Sequence, residues 1–395
     1  MLKTINNFDL KNKRVLIRVD FNVPLYNGEV TDDFRIRMAL PTINHCLASG
    51  ASVVLMSHLG RPKGQVNPDL SLMPVGEKLA ELLELPIKFS DDCVSEDARD
   101  VSLGLRTGEI HLLENLRFYS KETDNDSGFS ELLAKHGEIF INDAFGTAHR
   151  PHASNVGVTK YFLHKGIGYL FEKELEYLSS AIKIPNRPMT LVLGGAKIGT
   201  KLKLINKFID DADNIIIGGG MAFTFLKAKG MDVGGSLVDE SMLNTAKEIL
   251  EKSRKVNKRI NFPVDVIAAN NIDDIKSIKE LKIDNIPETM SGFDIGPATI
   301  EKFSKLLIES NTIVWNGPMG VFENQNFKDG TLKIAEVMAN ANEEGSIVIV
   351  GGGDTASAVK SYNLMDKMSH VSTGGGASLE LLSGNRLPSV EALGG

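Results

Sequence analysis

From end to end, short runs rich in Val, Ile and Leu alternate with longer stretches whose apolar residues recur at helical spacing. That rhythm restricts the chain to layered architectures built on parallel sheets. The runs are Arg14–Asp20, Ser52–His58, Glu109–Asn115, Glu138–Phe145, Met189–Gly195, Asn214–Gly219, Phe262–Ala269, Thr312–Pro318, Ser346–Asp354 and His370–Gly374. They are nearly continuous in aliphatic residues, as strands buried on both faces must be. Met73–Leu85, Lys201–Asp210, Glu240–Lys255 and Ala298–Glu309 read as amphipathic helices between them. Ten strands overfill one open sheet. The expected class is therefore α/β, with two doubly wound parallel-sheet (Rossmann-like) domains joined by a hinge helix.

The break is expected between Gly157 and Pro188. Tyr169–Lys183 reads as a helix with Phe171, Leu175, Leu178 and Ile182 on one side, and Pro185 and Pro188 stop it. This predicts a first domain over 1–170, a hinge helix and linker over 171–187, and a second domain over 188–387.

Net charge is −7, which argues against a broad nucleic-acid surface. Cys46 and Cys93 form no metal-like or disulfide-like pattern, so two reduced thiols are expected. Met1–Leu10 lacks a signal-type apolar core, and the apolar stretch Asn214–Leu226 is interrupted by Gly218, Gly219 and Gly220. A soluble cytoplasmic protein without a membrane or nucleic-acid partner is the expectation.

Ligands in open α/β sheets sit beyond the carboxyl ends of strands. In the first half those ends carry Asp20-Phe21-Asn22, His58-Leu59-Gly60-Arg61, Arg117 and His149-Arg150, with Arg35 nearby. Guanidinium groups bind carboxylate and phosphate bidentately, so Arg35, Arg61, Arg117 and Arg150 suit a small polyanion. His58 and His149 can add donors, whereas His45, His111, His136, His164 and His370 read as ordinary packed or solvated residues. In the second half the ends are glycine-rich: Gly218-Gly219-Gly220, Gly351-Gly352-Gly353-Asp354-Thr355 and Thr373-Gly374-Gly375-Gly376. Glycine lets backbone N–H groups approach phosphate oxygens, and three such triplets point to a nucleotide. Asp354 suits Mg²⁺, which takes one or two carboxylates beside substrate phosphates, or else caps the helix that follows. Lys197 and Lys201 flank the turn after Met189–Gly195 and can reach a transferring phosphoryl group. Neither a GxxxxGK[ST] loop, an HRD loop nor a helix-opening GxGxxG is present.

The ordered motifs resemble the phosphoglycerate kinase family along the whole chain. They are Arg18–Pro24, Arg35-Ile36 with Pro41-Thr42-Ile43, Ser57–Pro62, Glu114–Phe118, Asn142–Arg150, Gly194–Lys201, Gly218–Phe225, Asp294–Pro297, Trp315–Glu323, Gly351–Thr355 and Ser372–Leu379. Small departures are Pro151 and Phe293. The resemblance implies that 3-phosphoglycerate or 1,3-bisphosphoglycerate is held in the first domain by Asp20, Phe21, Asn22, Arg35, His58, Leu59, Gly60, Arg61, Arg117 and Arg150. It implies that ATP or ADP with Mg²⁺ is held in the second by Lys201, Gly219, Gly292, Asn316, Glu323, Gly352, Gly353, Asp354 and Thr355. It further implies a monomer, and a carboxy-terminal tail at about 388–395 that returns to the first domain.

In such a reaction the nucleophile, a phosphate oxygen of ADP, is already deprotonated. The leaving group is a carboxylate with a conjugate-acid pKa of about 4, so no general acid is required. Positioning and charge neutralisation remain, and these are expected of Arg35, Lys201, Lys197 and the N–H groups of Gly374, Gly375 and Gly376. A dehydrogenase would need the missing GxGxxG, and a non-catalytic relative would be expected to lack Arg35, Lys201 or Asp354. An acyl-phosphate kinase for another carboxylic acid is the nearest competitor, and the set of arginines favours a substrate with a second phosphate.

Overall fold

The computed structural model describes residues 2–196 and 198–394, with only the backbone of Thr200. Its contacts divide the chain into two compact units, Met1–Glu176 with Arg386–Gly395, and Tyr177–Asn385.

The first unit contains β1 (Arg14–Arg18), the small hairpin β2 (Leu25–Tyr26) and β3 (Glu29–Val30), β4 (Ser52–Met56), β5 (Ile87–Ser90), β6 (Ile110–Leu113), β7 (Ile139–Asn142) and β8 (Lys165–Ile167). Apart from the hairpin these form one six-stranded sheet in the order β5-β6-β4-β1-β7-β8, all parallel. All of β4, β6 and β7 is buried, as double-sided helical cover requires. The core gathers Val15, Ile17, Val53, Leu55, Ile110 and Ile141 with Ile36, Ile43, Val75 and Leu79 from the covering helices. Strand order reverses between β1 and β7, which opens a crevice at their carboxyl ends.

The second unit has β9 (Met189–Leu193), β10 (Asn214–Ile217), β11 (Ile260–Asn261), β12 (Asp265–Ala269), β13 (Lys279–Lys282), β14 (Ser291–Ile295), β15 (Thr312–Asn316), β16 (Ile347–Gly351) and β17 (His370–Val371). Its parallel sheet runs β11-β10-β9-β15-β16-β17, with the reversal between β9 and β15. A separate antiparallel sheet, β13-β12-β14, was not anticipated. The run Phe262–Ala269, expected as one parallel strand, instead starts just after β11 has ended, and only its part Asp265–Ala269 forms a strand, β12, in the antiparallel sheet. Pro263 lies between the two strands and has no N–H to offer a ladder.

The helix Tyr169–Lys183 has the expected bounds. Its start is held by the Asp143 carboxylate, which accepts from Phe171 N at 3.0 Å, and by Thr42 Oγ1, which accepts from Tyr169 N at 2.9 Å. The carboxy-terminal segment forms a helix, Pro388–Ala392, tied to the first unit by Ser389 N donating to Ala148 O at 3.2 Å. No described helix is long and apolar enough to cross a membrane.

Candidate active site

In the first unit, the loops after β1, β4 and β6 are locked to one another by hydrogen bonds between side chains and backbone. Phe21 N donates to Ser57 Oγ at 2.9 Å, and Gly60 N donates to Asn22 Oδ1 at 2.9 Å. Asn115, fully buried, accepts from Leu59 N and Arg117 N and donates to Leu59 O at 2.7 Å. Gly60 adopts φ +62°, where a side chain would be strained and would also collide with Leu70. The Phe21 and Leu59 side chains belong to the core, so these residues can offer a ligand only backbone.

On this frame Arg35, in the first turn of the helix Phe34–Ala48, pairs with Asp20 Oδ2 at 2.6 Å. Arg117 donates to Gly60 O at 2.5 Å. Burial and the neighbouring Arg150 and Arg18 charges lower its pKa to about 10, leaving it a cation at neutral pH. Arg61, Arg117 and Arg150 meet around one cavity of about 490 Å³, joined by Lys63 and His152. No carboxylate is among its described lining residues. Arg150 Nε donates to His149 Nε2 at 3.3 Å. His58 is buried against Arg18, and burial together with the charges of Arg18, Arg117, Arg35 and Arg150 holds its pKa well below the ordinary value. Arg18, Glu122 and Ser154, all fully buried beneath this rim, were not singled out from sequence.

In the second unit, Gly194 N donates to Asn316 O at 3.0 Å and Gly195 N to Pro318 O at 2.7 Å, joining the loops after β9 and β15. Lys201 ends the turn Gly199–Lys201 and donates through Nζ to Gly194 O. Burial lowers its pKa to about 8, opposed by the nearby Asp354 carboxylate. Thr355 Oγ1 accepts from Gly317 N at 2.7 Å, tying the start of the helix Gly353–Ser361 to the loop after β15. Gly352, at φ +92°, sits at the N-cap of that helix, so Asp354 lies in its first turn and is not the cap. Asp354 is exposed, whereas Asn316 is buried with its Nδ2 lacking any hydrogen-bond partner. Gly219, at φ +61°, approaches Gly195 and Pro318 so closely that a Cβ there would strike backbone. Gly292 lies on β14 against the Phe223 ring, and both line a narrow crevice with Gly219. Glu323 is exposed in the loop after β15, and Gly374, Gly375 and Gly376 follow β17, with Gly375 at φ +42° opening the helix Gly376–Leu382. Lys197 lies outside the described residues.

The phosphoglycerate kinase family model matches residues 5–385. A phosphoglycerate kinase of Prosthecochloris aestuarii is 50% identical over 99% of this chain and 99% of its own. One from Synechococcus sp. strain RCC307 is 48% identical over 99% and 98%. The solved phosphoglycerate kinase of Coxiella burnetii superposes with a TM-score of 0.88 at 40% identity, covering 100% of this chain and 99% of that one. With two switch-point crevices of complementary chemistry and full-length likeness in both sequence and structure, the chain belongs to the phosphoglycerate kinase family.

Proposed function

We propose that this enzyme transfers a phosphoryl group reversibly between 1,3-bisphosphoglycerate and ADP, giving 3-phosphoglycerate and ATP in glycolysis and gluconeogenesis. The observation that carries the reading is the cavity where Arg61, Arg117 and Arg150 converge without a lining carboxylate. Such a surplus of positive charge, buried at Arg117, half-buried at Arg150 and exposed at Arg61, is satisfied by a bound polyanion. We assign the first unit, with its carboxy-terminal tail, to phosphoglycerate. Asp20, Asn22, Arg35, His58 and the Leu59-Gly60 backbone complete that site.

The second unit takes the nucleotide. The unpartnered Asn316 Nδ2 beside the Gly352 turn is an orphaned donor that a phosphate oxygen would satisfy. Asp354 fits Mg²⁺ as a single carboxylate ligand completed by nucleotide phosphates. No group of three or more His, Cys, Asp or Glu suited to a metal occurs among the described residues. Bound there, the ion would neutralise phosphate charge. Gly219, Gly292 and Glu323 are assigned to the nucleoside, and Gly352, Gly353 and Thr355 to the phosphates.

In the ATP-forming direction a β-phosphate oxygen of ADP attacks the acyl phosphorus, and the bond to the carboxylate oxygen breaks. No proton moves. Arg35, Lys201 and the N–H groups of Gly374–Gly376 hold the charge on the transferring group, with Lys197 assisting. With one substrate assigned to each unit, transfer is proposed to involve closure, with the segment 169–188 as the hinge region.

Calorimetry tests the division of labour. Arg150→Ala is expected to weaken 3-phosphoglycerate binding about tenfold or more while leaving Mg-ADP unaffected, and Lys201→Ala to do the reverse. Equal loss of both ligands in either folded variant would remove the assignment.

A further inference from the structure

Beneath the arginine rim lies a chain of fully buried polar groups with one direction. Arg18, the last residue of β1, donates from Nε to Ser154 Oγ at 2.9 Å and from Nη1 to Val19 O. Ser154 donates its hydroxyl proton to Glu122 Oε1 at 2.6 Å, and its N–H bonds Glu122 Oε2 at 2.9 Å. Glu122 thus fixes Ser154 as an acceptor toward Arg18, and the guanidinium plane is set from two sides. Its remaining corner, Nη2, lies 3.1 Å from His58 Nδ1.

A guanidinium has donors and no acceptor. At that distance the facing ring nitrogen must present its lone pair. The other neighbour of His58 Nδ1 is Asp20 Oδ1, at 3.8 Å, which is too far for a hydrogen bond. We infer that Arg18, oriented by Ser154 and Glu122, is a positioning residue that fixes the tautomer of His58 with its proton on Nε2, making this histidine a neutral hydrogen-bond donor to the substrate's anionic groups. The role of His58 toward phosphoglycerate rests on the function proposed above, whereas the tautomer rests on the geometry alone. Burial and four surrounding arginines disfavour the imidazolium, so the second ring proton that would otherwise clash with Arg18 is absent. Without Arg18, the Nδ1–H tautomer becomes available, and a small shift of the ring toward Asp20 Oδ1 would supply its acceptor. The ring would then offer Nε2 as a lone pair and would repel an anion.

The test begins with the substrate-free, full-length enzyme carrying ¹⁵N-labelled histidine, with the His58 signals assigned by their loss in His58→Gln. Long-range ¹H–¹⁵N spectra near pH 7 are expected to show His58 Nδ1 unprotonated and Nε2 protonated. A proton on Nδ1, or a mixture of tautomers, would overturn the inference whatever the substrate is. In Arg18→Lys, checked for folding by its circular dichroism melt, both tautomers are expected to become populated. The KM for 3-phosphoglycerate should rise about tenfold, with kcat within about twofold and the KM for Mg-ATP unchanged. In the His58→Gln background the same Arg18 substitution should add almost nothing, because Arg18 acts through that ring. Full additivity would overturn the positioning role. Saturating 3-phosphoglycerate should shift the Nε2 resonance. Calorimetric binding without such a shift would overturn the donor role, whereas no binding at all would count against the proposed substrate and leave the tautomer standing.

Discussion

Arg35 stands at the start of a helix with Asp20 2.6 Å from its Nη1, and Asp20 is itself buried in the loop after β1. The carboxylate orients the guanidinium and so offsets in advance part of its ordering cost. If Arg35 stabilises charge that develops during transfer, Arg35→Ala should lower kcat by roughly 10²–10³, with a much smaller rise in the KM for 3-phosphoglycerate. Steady-state kinetics decide this, and a near-normal kcat would remove Arg35 from the mechanism. Arg35 and its companions were legible because several arginines gather at or near the strand ends of the first half. Arg18 was not, because nothing in the sequence distinguishes an arginine that closes a strand inward from one that faces a ligand. Glu122 was less visible still. It sits in the polar stretch Ser120–Thr123 and is fully buried only because Ser154 returns to it from far along the chain.

Among the elements, β5, β6 and the helix Glu96–Leu103 enclose a histidine pair that shares one hydroxyl. Ser102 Oγ lies 2.8 Å from His111 Nδ1 and 2.7 Å from His136 Nδ1, and His111 Nε2 meets Ser90 Oγ at 2.8 Å. Burial, as the main cause, lowers the pKa of both histidines to about 4. Their ordinary value in an unfolded chain is 6.5, so between pH 6.5 and pH 4 the unfolded state binds more protons than the folded one. The stability these neutral imidazoles contribute is therefore complete above pH 6.5, falls as pH drops toward 4, and changes little below that. His152, also lowered to about 4 by burial and the nearby arginines, acts in the same direction. Urea unfolding followed in the first unit is expected to lose stability across this window, by at most roughly 3 kcal/mol for each histidine of the pair, and the slope should flatten in the double variant His111→Gln/His136→Gln. An unchanged slope in that variant would place the acid sensitivity elsewhere. At the same scale, the strands that could be read in advance are those with unbroken aliphatic runs, such as β4, β9 and β15, buried throughout. The missed strands lack that signal for identifiable reasons. β5 is an edge strand of Ile-Lys-Phe-Ser with an exposed lysine, β8 is three residues long and contains Gly166, and β13 is mostly exposed Lys-Glu-Leu-Lys. An antiparallel sheet needs only one covered face, so its strands carry fewer aliphatic residues to find.

For the whole molecule, two six-stranded parallel sheets follow from more strand-forming runs than one open sheet accommodates. Each sheet reverses its strand order once, and the arginine and glycine rims fall at those two reversals. That coincidence made the general location of both rims readable from sequence, while the hydrogen-bond partners inside them required the fold. If phosphoryl transfer proceeds by closure, small-angle scattering should give a smaller radius of gyration with both 3-phosphoglycerate and a non-hydrolysable Mg-ATP analogue than with either alone. Identical curves in all three states would remove closure from the mechanism.

The most direct measurement is turnover by the purified chain with 3-phosphoglycerate and Mg-ATP, coupled to glyceraldehyde-3-phosphate dehydrogenase and followed as loss of NADH. Rapid, Mg²⁺-dependent turnover that disappears in Lys201→Ala is expected. A folded protein that binds Mg-ADP yet forms no acyl phosphate would contradict the proposed activity.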